Sequence, residues 1–180
     1  MAHWRRGRGQ ALIEWLVVMP LLLLFCLGVL QVALVIQARF AIAHGAHEAI
    51  RVAVSDHGRD AAIAQGLAWG LRPFWREPDL ASALARLAHA QADGGVRWRR
   101  IAPDPAVFDD FGEQGVDDHG QSIPGRLELP NDNLAFRPLA VGARSGLDLL
   151  QANRLGLEFV VAVPLDVPFA GPLFGRLAAI

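Results

Sequence analysis

From Leu16 to Ile36 the chain reads LVVMPLLLLFCLGVLQVALVI, 21 residues without a charge. At about 1.5 Å of rise per residue, a helix of that length crosses a hydrocarbon core of roughly 30 Å. The buried core helix of a soluble protein rarely needs so many consecutive apolar residues, so the run predicts a transmembrane helix. Pro20 near its start can bend it locally, and Gln31 can bond a neighbouring helix; neither blocks insertion. Arg5, Arg6 and Arg8 precede the run, whereas the nearest basic residues after it are Arg39 and Arg51. The positive-inside rule then puts the N-terminus in the cytoplasm and the bulk of the chain across the membrane.

An ordinary secretory signal peptide is the competing explanation. Its apolar region is shorter, about 7 to 15 residues, and the only small-x-small sequence nearby, Ala41-Ile42-Ala43, lies well past the run. Neither reading explains Glu14, a carboxylate just before the span, where charge is costly unless something pairs with it. Around it the order is a basic leader, Gly9, four uncharged residues, Glu14 and the aromatic Trp15.

Gly9-Gln10-Ala11-Leu12-Ile13-Glu14-Trp15 resembles the prepilin-peptidase motif, with glycine before the cut and glutamate at mature position five. The wording RGQALIEW followed by MPLLLL resembles the TadE-like pseudopilins of tight-adherence (Flp, type IVc) pilus systems, with Trp15 where the family usually has another aromatic. The similarity is strongest over residues 7 to 56. LPNDNLAFRP (129 to 138) and LLQANRLGLEFVVAVPLDVP (149 to 168) resemble, more loosely, one proteobacterial branch of these proteins.

The resemblance implies cutting between Gly9 and Gln10 by a prepilin peptidase. It implies a non-enzymatic role in pilus assembly, with related pseudopilins and an inner-membrane assembly platform as partners. Cleavage would place a new ammonium on Gln10, one helical turn before Glu14, where i and i+4 share a face. Glu14 and Trp15 are thus the expected assembly residues, through pairing with that ammonium or with a neighbouring subunit's. The expected divisions are a cytoplasmic leader over 1–9, the cut-site flank and transmembrane helix over 10–36, an amphipathic stalk over 37–56 and an extracytoplasmic domain over 57–180.

Composition fits an exported, anchored chain. The mean hydropathy of +0.29 and hydrophobic content of 53% stand above the soluble average because of the span. The formal charge is −1; losing the three leader arginines leaves 14 basic against 18 acidic residues, so nothing calls for a nucleic-acid partner. Cys26, the single cysteine, lies in the anchor and cannot form an intrachain disulfide, so packing alone must hold the outer domain.

The expected fold is α+β: a single N-terminal transmembrane helix continuing as an amphipathic stalk, then a small mixed domain of helices and antiparallel strands. The first helix should run to about Val54. Gln37, His44, Glu48, Arg51 and Ser55 recur on one face and Ile36, Phe40, Ala43, Ile50 and Val54 on another, the second to pack on the globular domain or on a partner's stalk. Asp60 should cap a second helix ending near Arg72, because Pro73 disfavours helix before it. A third runs from about Asp79 to Asp93 and stops at Gly94-Gly95. Val96 to Ile101 reads as a short strand bearing Arg97, Arg99 and Arg100. Residues 102 to 146 are dense in Pro, Gly, Asp and Asn and read as irregular. Ser145 with Asp148 resembles a capping box, and the alternation from Leu155 to Val163 is the clearest strand. The segment Phe169 to Ile180 is too short for a second span; packing on the domain, lying at the membrane surface and touching a partner all stay open.

Chemistry has few footholds. His44, His47 and Glu48 could offer metal ligands but lack an HExxH arrangement, and polar residues on a packed stalk explain them as well. Asp109-Asp110 and Asp117-Asp118-His119 could gather oxygen ligands for calcium but do not follow the EF-hand pattern. Arg97, Trp98, Arg99 and Arg100 make too small a basic patch for a nucleic-acid surface. Four serines without a hydrolase or phosphate-loop motif give no case for an enzyme, so the expectation is no catalytic residue, no metal and no cofactor. The alternative function is a bitopic extracytoplasmic binding or scaffold protein with an uncleaved anchor.

Overall fold

A computed structural model of the chain describes residues 7–117, 119–169 and 171–172, with side chains from residue 13 onward. Residues 1–6, Asp118, and most of the C-terminal segment, residues 170 and 173–180, lie outside the described residues. The fold is α+β, in two compact units. The first contains residues up to Ala41 together with those from Val163 on; the second is Ile42–Ala162.

One helix, α1 (Gly7–Ser55), enters both units. It is unbroken through the apolar run and on to Ser55, as the sequence predicts, though it starts earlier than the run, and Pro20 lies inside it. Pro20 removes one backbone donor near the first turns, which a long helix tolerates within a membrane. Among the described residues it is the one helix long and apolar enough to cross a bilayer. Its apolar side chains stand bare, Leu21 at 66% and Phe25 at 71% exposure, with Cys26 also exposed. A soluble core helix would have these covered.

The second unit is a helical layer on a two-stranded sheet. Helix α2 (Asp60–Trp75) packs against the last part of α1, and α3 (Leu80–Ala92) against α2. Strand β1 (Val96–Ala102) pairs antiparallel with β4 (Gly156–Val161), setting Trp98 opposite Phe159 and Arg99 opposite Glu158. Alternation does the sorting: Val96, Trp98, Leu157, Phe159 and Val161 meet the core, while Arg97 and Arg99 stay exposed and Arg99 ion-pairs Glu158. The centre is Ile63, Leu67, Leu71 and Leu87, each no more than 1% exposed.

The face of α1 that packs differs from the large-apolar stripe. Phe40 is 72% exposed and Val54 60%, whereas Gly45, Ala49 and Ala53 are buried. The reason is how closely the helices approach. A Cβ on Gly66 would lie 2.6 Å from the Ala49 Cα, and one on Gly70 would lie 2.6 Å from the Gly45 Cα. The two backbones touch, so the face that meets α2 has to be made of small residues.

Two boundaries also differ. Helix α2 continues through Pro73 to Trp75, since a proline in the last turn costs a single bond and the Arg76 and Glu77 amides close the end on the Pro73 and Arg72 carbonyls at 3.2 and 3.1 Å. Arg59, not Asp60, holds its cap position, without a side-chain cap; the Asp60 carboxylate faces Arg100 instead, at 3.4 Å. Helix α3 does start from its expected cap, with the Ser82 N–H donating to Asp79 at 2.8 Å. That bond and the Ser82 hydroxyl hold the Asp79 carboxyl below its ordinary pKa.

Residues 102 to 146 are more regular than their composition suggests. They hold α4 (Pro105–Phe111), capped by Asp104, and an antiparallel hairpin of β2 (Glu113–Val116) with β3 (Ser122–Glu128). Pro124 is tolerated because β3 has β2 as its single partner, leaving an edge that needs no donor there. The short helix α5 (Leu149–Ala152) opens on a capping box made by Asp148 with Gln151, not by Ser145 with Asp148. Ser145 is engaged elsewhere.

Candidate functional site

The N-terminal half of α1 carries the motif. Gly9 and Gln10 belong to its helical backbone, with the Gln10 side chain outside the described residues. Glu14 follows four residues after Gln10 in the same helix, and Glu14 and Trp15 are both exposed, Trp15 at 64%. One turn of helix thus brings positions 10 and 14 to a common face, immediately before the exposed apolar span.

The other candidate groups are committed to structure. His44 and His47 are exposed on α1, and Glu48 binds Arg51 at 2.7 Å rather than joining a histidine. Among the described residues no three His, Cys, Asp or Glu side chains converge as metal ligands. Asp110 accepts bonds from the Ser145 N–H and hydroxyl, both at 2.7 Å, and from the Arg144 N–H at 3.1 Å, while Arg144 pairs with Asp109 at 2.7 Å. Asp117 accepts from the His119 and Gln121 amides at 2.9 and 2.7 Å and so closes its own turn. These carboxylates staple loops. The Asp110–Ser145 staple was invisible in sequence because the partners are 35 residues apart.

The bonds from Ser145, then the Arg144 amide and charge, hold the Asp110 carboxyl below the ordinary carboxylate value. A depressed pKa contributes stability that is present above the unfolded value of about 3.9 and disappears as pH falls through the folded one. We therefore expect Asp110→Asn to speed hydrogen exchange at the Arg144 and Ser145 amides severalfold at neutral pH. The gap between variant and wild type should close below pH 4. Mass-resolved exchange on both proteins checks this; equal rates at pH 7 would rule the staple out.

A groove of about 580 Å³ opens in the second unit, floored by Phe108, Leu127, Leu134 and Leu155 and rimmed by arginines. Most of that charge is spent internally. Arg59 pairs with Asp56, Arg126 with Glu128 at 2.5 Å, and Arg100 donates to the Gly58 carbonyl at 2.5 Å. Nearby, the Glu113 and Asp132 carboxylates that Arg137 bonds, at 2.7 and 3.0 Å, raise its pKa further.

Comparison with known proteins singles out the motif-bearing helix rather than the groove. The family model described as TadE-like protein matches residues 9–51. This stretch is TadE-like. The match opens on Gly9 and takes in the whole apolar span and most of the remainder of α1. Searches of the curated proteins and of the solved structures each found no significant match. The TadE-like family is pilus-associated, and the exposed apolar helix within the matched stretch suits a single-pass anchor.

Proposed function

We propose that the chain is a non-enzymatic minor pseudopilin of a tight-adherence (type IVc) pilus or a related secretion machine. A prepilin peptidase cuts it between Gly9 and Gln10. Its partners are other pseudopilins and the inner-membrane assembly platform. Residues 1–9 are the cytoplasmic leader, 10–36 the flank and inner-membrane span, 37–56 the stalk and 57–180 the extracytoplasmic domain. The observation that carries this reading is the TadE-like match beginning at Gly9 on a helix that holds Glu14 and Trp15 directly before an exposed apolar span.

Glu14 serves assembly rather than insertion. A neutral glutamine inserts slightly more easily, since it removes a charge that hydrocarbon disfavours. It also removes the partner for the Gln10 ammonium, and an ion pair shielded from water is far stronger than an exposed one. Glu14→Gln is expected to be inserted and cleaved normally and to lose most of its co-purification with partner pseudopilins. The N-terminal peptide mass from native membranes tests processing directly and reports whether Gln10 has cyclised. Wild-type recovery of partners with an uncyclised Gln10 would remove Glu14 from assembly. An intact Met1–Gly9 in membrane-extracted wild type would instead favour a bitopic binding or scaffold protein that uses the groove.

A further inference from the structure

Gln31 is the one polar side chain in the apolar run and is 1% exposed, among neighbours such as Leu30 and Val32 that stand bare. What covers it comes from the other end of the chain. The Val167 N–H donates to the Gln31 Oε1 at 3.1 Å, and Val167 is itself 5% exposed. Ala38, seven residues on and therefore on the same face of α1, is 1% exposed. The Gly171 N–H then turns back onto the Val167 carbonyl at 2.8 Å, and Gly171 is buried. Both partners belong to the first unit.

The depth of this contact follows from helix geometry. Gln31 lies five residues before the end of the run at Ile36, which is about 7.5 Å along the axis. Segments that lie in a bilayer interface bury their apolar face by about 5–10 Å. At that depth a backbone N–H needs a protein partner, because hydrocarbon offers none. Gln31 provides one for Val167. The segment is also apolar in the required sense: Val163, Pro164, Leu165, Val167, Pro168 and Phe169 carry Asp166 as the one charge among them. Phe169 is 73% exposed and sits at φ +61°, a conformation uncommon for a bulky side chain.

We propose that the segment of residues 163–169 is a second, non-spanning membrane contact. It enters the bilayer face opposite the N-terminus, with Gln31 as its hydrogen-bonding seat and Phe169 in lipid. The Gln31 Nε2 is buried as well and makes no hydrogen bond among the described residues. The proposal rests on α1 spanning the membrane, and the test separates the two.

Full-length protein with Cys26→Ser is reconstituted in phosphatidylcholine–phosphatidylglycerol vesicles and given a single labelled cysteine, either Phe169→Cys or Leu23→Cys. Fluorescence quenching is read with lipids carrying a nitroxide near the headgroup or deep in the acyl chain, and with aqueous iodide. The label at 23 should respond to the deep nitroxide. The label at 169 should respond to the shallow one and be shielded from iodide severalfold relative to the free dye. Adding Gln31→Leu should return the label at 169 to iodide and leave that at 23 unchanged. Free iodide access at 169 with lipid quenching at 23 overturns the proposal alone. Free access at both overturns the anchor, and the proposal with it. Shielding at 169 that survives Gln31→Leu overturns the role given to Gln31.

Discussion

Gly66→Val is expected to unfold the second unit, whereas Gln65→Val beside it leaves the unit folded. Gly66 lies where α1 and α2 touch, and its added Cβ would stand 2.6 Å from both the Ala49 Cα and the Glu48 carbonyl oxygen. These are backbone atoms of a continuous helix and cannot step aside as a side-chain tip can. Overpacking a well-filled core costs about 1–3 kcal/mol where side chains can shift, and more where the backbone must. A whole domain is stable by only about 5–15 kcal/mol. Separating the helices would also loosen Ile63, Leu67 and Leu71, which occupy the same interface and are fully buried. Gln65 is exposed on α2, so valine there costs only helix propensity, under about 1 kcal/mol. Limited proteolysis of both variants in detergent checks this. Wild-type resistance in Gly66→Val would mean that the helices do not approach this closely.

That interface shows what could be read from sequence and what could not. The long apolar helix was legible because its signal is local: a continuous run of 21 uncharged residues from Leu16 to Ile36. The limits of α3 were legible because Asp79 and Gly94 act on their own neighbours. The packing face of α1 was not, since Gly45 and Ala49 are chosen for closeness, and small residues barely register against Phe40 or Val54 in an apolar pattern. The β2–β3 hairpin was hidden because Gly115, Pro124 and Gly125 read as turn residues although they stand within its strands. The Gln31 seat was out of reach for a third reason: its partner lies 136 residues away, and a glutamine in a span gives no hint of which segment will bond it.

The proposed processing motif has the local kind of signal, and under that proposal Gly9→Val is expected to abolish processing almost completely while insertion proceeds. A peptidase working at the membrane surface must bring its catalytic groups against the backbone at the bond between residues 9 and 10. Glycine permits that approach because it has no side chain, and it adopts backbone conformations that a β-branched residue resists. Gly9 lies within the helical backbone of α1, so the bond must also be drawn out of regular helix to be cut, and valine stiffens that step. Insertion depends on other features, the run from Leu16 to Ile36 and the arginines before it, and the substitution touches neither. Gly7→Val provides the control, since it alters the same leader two residues away and should leave cutting intact. Intact-mass analysis of membrane-extracted protein distinguishes the outcomes. A full-length, membrane-inserted Gly9→Val product beside a shortened Gly7→Val product is the expected pair, and mature protein of normal length from Gly9→Val would show that the cut lies elsewhere.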